Sequence, residues 1–205
     1  MVNQLYPAFF RLDRLQMLVV GAGEVGEEKL KFILKSSPNA RVTIVAPWMG
    51  EELRSLLEGY QHRTYQAEMA RTQAERPVPN GVLSKDQKAM QDQMLRDDGS
   101  GQFDVAKLAK LGSFQLHDTQ YTIGQEGDFA GLYFTPEGGA VVYLQREFLP
   151  EDIESADLVV AATNFPEVNR AVYDAAKANR RLCNIADTPS LCDFYLGSIV
   201  TRGPL

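Results

Sequence analysis

Cysteine and histidine are scarce in this chain, with two of each in 205 residues. Two thiols, Cys183 and Cys192, imply no disulfide framework, and a reduced, cytoplasmic protein is the expectation. His62 and His117 stand far from both cysteines, so no zinc cluster and no resident metal is expected. No apolar run is long enough to span a bilayer. Met1-Val2-Asn3-Gln4 also lacks the charged and apolar regions of a signal peptide. Positive charge is in deficit: 21 Lys plus Arg against 27 Asp plus Glu give a net −6, with no long basic run. That balance argues against nucleic acid and anionic membranes as partners. A small acidic substrate stays open, because a local pocket can oppose the global sign.

Apolar residues make up 44 % of the chain, enough for a substantial core. The most informative stretch is Leu18-Val19-Val20-Gly21-Ala22-Gly23-Glu24-Val25-Gly26, an apolar strand running into G-x-G-x-x-G with helical spacing behind it. Gly21 permits the tight turn, Gly23 lets a pyrophosphate approach the backbone, and Gly26 lets helix and strand pack closely. The helix N-terminus offers unpaired N–H groups and partial positive charge to phosphates. Glycine-rich turns are common, and a turn of this shape without a ligand is the plain alternative.

The surrounding segments fit a Rossmann-like α/β fold. Val25, Leu30, Ile33 and Leu34 share a helix face, closed by Ser36-Ser37-Pro38-Asn39. Arg41–Ala46 reads as a second, buried parallel strand, and Leu53, Leu56 and Leu57 suggest a short helix. Further on, Asp157–Ala162 is a strand, Pro166–Ala178 a helix and Arg181–Ala186 another strand. Alternation at this spacing predicts a doubly wound parallel sheet. The composition shifts between about 66 and 138, where a helix over Lys85–Arg96 and β-like runs at 119–123 and 131–135 suggest a small α+β insertion. A further run at 140–144 rejoins the parent sheet. The expected organisation is a discontinuous dinucleotide-binding domain, 1–65 and 139–205, carrying an insertion at 66–138.

In order along the chain come the glycine turn, Val42-Thr43-Ile44-Val45-Ala46-Pro47, Ala161-Ala162-Thr163-Asn164 with Asn169, and Cys183-Asn184-Ile185-Ala186-Asp187-Thr188-Pro189. Cys192–Leu205 closes the set. Over roughly residues 5–60 and 140–205 this combination resembles the precorrin-2 dehydrogenase module of siroheme synthases. The resemblance implies NAD-dependent oxidation of precorrin-2 to sirohydrochlorin, in some members with ferrochelatase activity as well. It implies a catalytic role for Asp187 and cofactor contacts at Gly21, Gly23, Glu24, Val25, Gly26, Pro47, Thr163 and Asn164. Members often carry alanine where this chain has Gly26, a change the turn is expected to tolerate. They also continue past the point matching Leu205 with a region used for dimer formation, so a homodimer is implied.

The residues themselves support that chemistry to different degrees. Asp187 follows a parallel strand at its C-terminal end, where open α/β sheets bind ligands, and could act as general base or orient the substrate. The alternative is a simple turn with Asp187 bonded to its own backbone. The second strand ends at Ala46-Pro47 instead of the acid that bonds a ribose 2′-OH, and no arginine cluster awaits a 2′-phosphate. Only the resemblance therefore favours NAD over NADP. Glu24 is a cofactor neighbour or merely a favourable acid in a first helical turn. Arg202 is a candidate for a substrate carboxylate, or a surface arginine. Two other functions remain open: an NAD(H)-sensing module that catalyses nothing, and a sirohydrochlorin ferrochelatase.

Overall fold

A computed structural model describes residues 6, 8–60, 113–116, 119–122, 128–135 and 137–196. The elements follow the apolar runs. Gln16–Ala22 (β1), Glu24–Ser36 (α1), Arg41–Met49 (β2) and Glu51–Glu58 (α2) form the N-terminal unit. Then come Ser113–Leu116 (β3), Thr119–Thr122 (β4), Phe129–Phe134 (β5) and Ala140–Leu144 (β6). Leu158–Ala161 (β7), Pro166–Ala178 (α3) and Leu182–Ile185 (β8) complete the set, with short 3₁₀ turns at Pro150–Ile153 and Pro189–Leu191.

Six strands form one sheet in the order β5-β6-β2-β1-β7-β8, and β3 with β4 forms a separate antiparallel pair. The chain winds outward from β1 through β2 to β6, then returns to β7 on the other side of β1. Both faces are covered. On one, Leu18, Val20, Val45, Val142, Val159 and Ile185 pack with Val172 and Ala176 of α3. On the other, Val19, Ile44, Val141 and Val160 pack with Leu30, Ile33 and Leu34 of α1 and Leu53 and Leu57 of α2. Burial on both sides explains why β1, β2, β6 and β7 read as unbroken apolar runs. Each fully buried side chain of this kind is worth roughly 1.5–3 kcal/mol of transfer free energy.

The sheet departs from the all-parallel expectation at one edge. β5 pairs antiparallel with β6, although its residues fall inside the 66–138 span read from composition as an insertion. The connection is too short for anything else, since a parallel crossover needs a dozen or more residues. Thr135 and Gly139 close the hairpin: the Gly139 N–H donates to Thr135 Oγ1 at 2.8 Å, and Gly138 takes φ +87°. β3 was given no signal by periodicity. The helix expected at 85–96 lies outside the described residues.

Candidate functional site

The strand order reverses between β1 and β7, and a crevice outside their carboxyl ends is where such sheets bind ligands. The register aligns the crevice wall. Val20 lies opposite Val45 and Ala161, and Ala161 lies opposite Ile185. Gly21 is one residue past that row, while Pro47, Thr163 and Asp187 are each two past it. At a strand spacing of about 4.8 Å, Asp187 stands roughly 10 Å across the sheet from the β1 line.

Glycine is required in the turn for reasons the geometry makes specific. Gly21 has φ +99°, and a Cβ there would stand 2.5 Å from the Ala162 carbonyl oxygen and 2.9 Å from Thr163 Cγ2. The first turn is thus seated directly on the end of β7. A Cβ on Gly26 would lie 2.2 Å from the Gly21 carbonyl oxygen, which corrects the expectation that alanine is tolerated there. The obstacle is backbone, which cannot rotate away as a side chain can. Gly23 caps α1 without any side-chain bond, and the Glu27 N–H donates to its carbonyl at 2.7 Å. The N–H groups of Glu24, Val25 and Gly26 therefore have no partner within the helix. Glu24 is exposed and Val25 half-buried. Unpaired N–H groups beside a backbone stripped of Cβ atoms fit a pyrophosphate.

Opposite the turn, β2 ends with Pro47 and Trp48 exposed before Met49 is buried again. The tip is anchored: the Gly50 N–H donates to Ala22 O at 2.9 Å, and Gln145 Nε2 to Pro47 O at 3.3 Å. Glu27 of α1 accepts the Leu53 N–H at 3.2 Å, capping α2 from another helix, and Lys31 bridges Glu27 to Glu52.

After β7 the loop is held by Asn169 of α3. Its Nδ2 donates to Thr163 O at 2.9 Å, while its Oδ1 accepts the Thr163 N–H at 3.2 Å and hydroxyl at 2.8 Å. Asn169 is buried and bonds both sides of one residue, so it braces the loop that presents Thr163. Asn164 is exposed on the rim next to it.

Asp187 lies at the outer end of this edge, exposed, with φ +58°. Aspartate is among the few non-glycine residues that enter this left-handed region. Its side chain makes no hydrogen bond among the described residues, unlike the backbone-bonded turn that was the plain alternative. Beyond the Pro189–Leu191 turn the chain doubles back along β8. The Asp193 N–H donates to Cys183 O at 2.8 Å and the Cys183 N–H to Asp193 Oδ2 at 2.9 Å. Lys177 of α3 pairs with the same carboxylate. Burial alone would raise the Asp193 pKa, but the Lys177 ammonium and the Cys183 amide outweigh it and hold it below the usual carboxylate value. Burial also pushes the Cys183 thiol up to about 11, which keeps it protonated and inert. Arg202 lies outside the described residues. Asp193 and Glu27 gave no sequence signal for these roles, because each acts on an element distant along the chain.

A family described as "Putative NAD(P)-binding" matches residues 8–97 and 99–198. The chain belongs to that family. The cofactor is thus of the nicotinamide dinucleotide class. Among curated relatives, siroheme synthase 1 of Cronobacter sakazakii is 43 % identical over 67 residues, 33 % of this chain and 14 % of that protein. Siroheme synthase 3 of Aeromonas hydrophila is 26 % identical over 199 residues, covering 97 % of this chain and 25 % of that protein. This NAD(P)-binding chain therefore spans a quarter or less of the length of these relatives. A solved structure named SirC, precorrin-2 dehydrogenase, aligns with 98 % of this chain and 59 % of its own at 17 % identity and a TM-score of 0.49. Among the described residues, no three His, Cys, Asp or Glu side chains converge as a metal site. No described helix is long and apolar enough to cross a membrane.

Proposed function

We propose that this chain serves siroheme biosynthesis by oxidising precorrin-2 to sirohydrochlorin with NAD, Asp187 taking the accompanying proton. The reading is supported by likeness to one siroheme synthase along nearly the whole chain, and to others along about a third of it. The observation that carries the assignment of Asp187 is its backbone: a non-glycine residue held at φ +58° on the ligand-binding edge of the sheet. Such conformations cost free energy and concentrate at functional sites. When bound, NAD supplies the hydride acceptor. The glycine turn and the α1 N-terminus hold its pyrophosphate, and Thr163, fixed by Asn169, with Asn164 and Pro47 line its bed. Glu24 and Val25 flank the turn.

Asp187 works from outside that bed. Its exposed carboxylate is open to a macrocycle laid over that edge and would serve as the base for the proton that accompanies the hydride. Tyr195 is half-exposed, and its hydroxyl donates to Pro189 O at 3.1 Å, which sets an aromatic ring beside the turn that carries Asp187. Arg202 is a candidate partner for a substrate carboxylate.

The test is conversion of precorrin-2 to sirohydrochlorin by the full-length protein with NAD, followed by absorbance, beside calorimetric NAD titration. Asp187→Asn is expected to lower turnover by at least about a hundredfold, the usual scale for loss of a general base, with NAD affinity nearly unchanged. Equal turnover removes Asp187 from the reaction. NAD binding without turnover in the parent protein would point instead to a nucleotide-sensing module.

A further inference from the structure

The tip of β2, where Ala46-Pro47 stands in place of a ribose-bonding acid, next carries a tryptophan beside the glycine turn. Trp48 is the only tryptophan in the chain and is 55 % exposed. A Cβ built on Gly23 would lie 3.2 Å from its Cη2 and 3.4 Å from its Cζ2. The indole therefore stands next to the middle glycine, at the end of the second strand, where sheets of this type place the adenosine ribose. Its N–H makes no hydrogen bond among the described residues. The backbone beneath it is fixed by the Gly50–Ala22 bond, the Gln145–Pro47 bond and the buried Met49, so the ring is presented on a rigid mount. The next carboxylates, Glu51 and Glu52, head α2, and Glu52 is paired with Lys31.

We propose that Trp48 recognises the adenosine half of the dinucleotide by stacking, and that the site consequently accepts NAD and NADP with similar affinity. The proposal rests on the dinucleotide reading of the glycine turn. An acid at the end of this strand does two things: it bonds the ribose 2′-OH and it repels a 2′-phosphate. An indole does neither. It offers an apolar face whose removal from water on stacking supplies affinity irrespective of the 2′ substituent. Selectivity against the phosphate is lost along with the acid, and among the described residues no arginine cluster adds selectivity for it.

The experiment is titration of the purified full-length chain with NAD, NADP, ADP-ribose and nicotinamide mononucleotide. Trp48 emission reports on the parent protein, and calorimetry on Trp48→Ala, Trp48→Phe and Trp48→Asp. ADP-ribose and both dinucleotides are expected to quench Trp48 emission, and nicotinamide mononucleotide to leave it unchanged. NAD and NADP affinities should agree within about tenfold, and Trp48→Ala should weaken both by a similar factor of roughly ten to a hundred. Trp48→Phe should retain most of the affinity, and Trp48→Asp should restore preference for NAD. Unchanged affinities in Trp48→Ala, or a strong preference for either dinucleotide in the parent, would overturn the proposal while leaving the glycine turn intact. Failure of the parent to bind any dinucleotide would overturn the cofactor reading and the proposal together.

Discussion

Single hydrogen atoms decide the geometry of the glycine turn. At Gly26 a methyl group would meet the Gly21 carbonyl oxygen at 2.2 Å and its carbon at 2.8 Å, so α1 must move away from β1 to admit it. Alanine ordinarily gains about 1 kcal/mol over glycine inside a helix. Overpacking against fixed backbone costs about 1–3 kcal/mol and outweighs that gain. Gly26→Ala is therefore expected to lower the urea midpoint, and an unchanged or raised midpoint would contradict the packing argument. Gly23→Ala should behave differently. Its methyl would meet only the edge of an exposed indole, so stability should stay within about 0.5 kcal/mol of the parent. Dinucleotide binding should nevertheless fall at least tenfold, because the methyl would occupy the approach of the pyrophosphate. Calorimetry beside denaturation separates the two cases.

At the level of elements, one carboxylate joins the segment after β8 to both its neighbours. Asp193 accepts the Cys183 N–H on the β8 edge and pairs with Lys177 near the end of α3, joining strand, helix and returning chain. Its folded pKa lies below the ordinary 3.8. The stabilisation is accordingly complete above that ordinary value and is lost as pH falls through the lower folded value. Both side chains are about a third exposed, so the pair is worth only about 1 kcal/mol. Asp193→Asn should show that deficit in urea unfolding at neutral pH, with the difference shrinking below about pH 4. A deficit independent of pH would mean that the N–H bond, not the charge, carries the effect. Elements of this kind were legible in the sequence where one segment contains its own signal. The stripe of α1, the apolar runs of β1, β2 and β7, and Pro166 at the start of α3 are all local patterns. The antiparallel placement of β5 was not legible, because it depends on the length of the turn to β6 and on where the edge is free. Trp48 against Gly23 and Glu27 capping α2 escaped for the same reason. Each joins residues whose proximity exists only once the sheet is assembled.

Across the whole molecule, the edge farthest from β8 depends on a buried ion group. Arg146 follows β6 and donates to both carboxylate oxygens of Asp152, at 2.8 and 2.6 Å, and its Nε lies 3.4 Å from Asp128 at the start of β5. The Arg146 and Asp152 side chains are only 10 % and 7 % exposed. The Asp152 bond raises the Arg146 pKa, so the guanidinium stays charged at any working pH. One residue thus ties the antiparallel edge strand, the end of β6 and the 3₁₀ turn leading to β7. Its neighbour Gln145 bonds to Pro47 O, which links this clip to the β2 tip that carries Trp48. Arg146→Met should cost about 3–5 kcal/mol, because it leaves Asp152 buried without its guanidinium. Arg146→Met with Asp152→Leu should recover most of that loss, since an apolar pair of similar volume carries no desolvation penalty. Hydrogen exchange would localise the effect, with amides of β5 losing protection before those of β1 and β7. A single-variant cost below about 1 kcal/mol, or uniform loss of protection across the sheet, would mean that hairpin and core packing hold the edge without the clip.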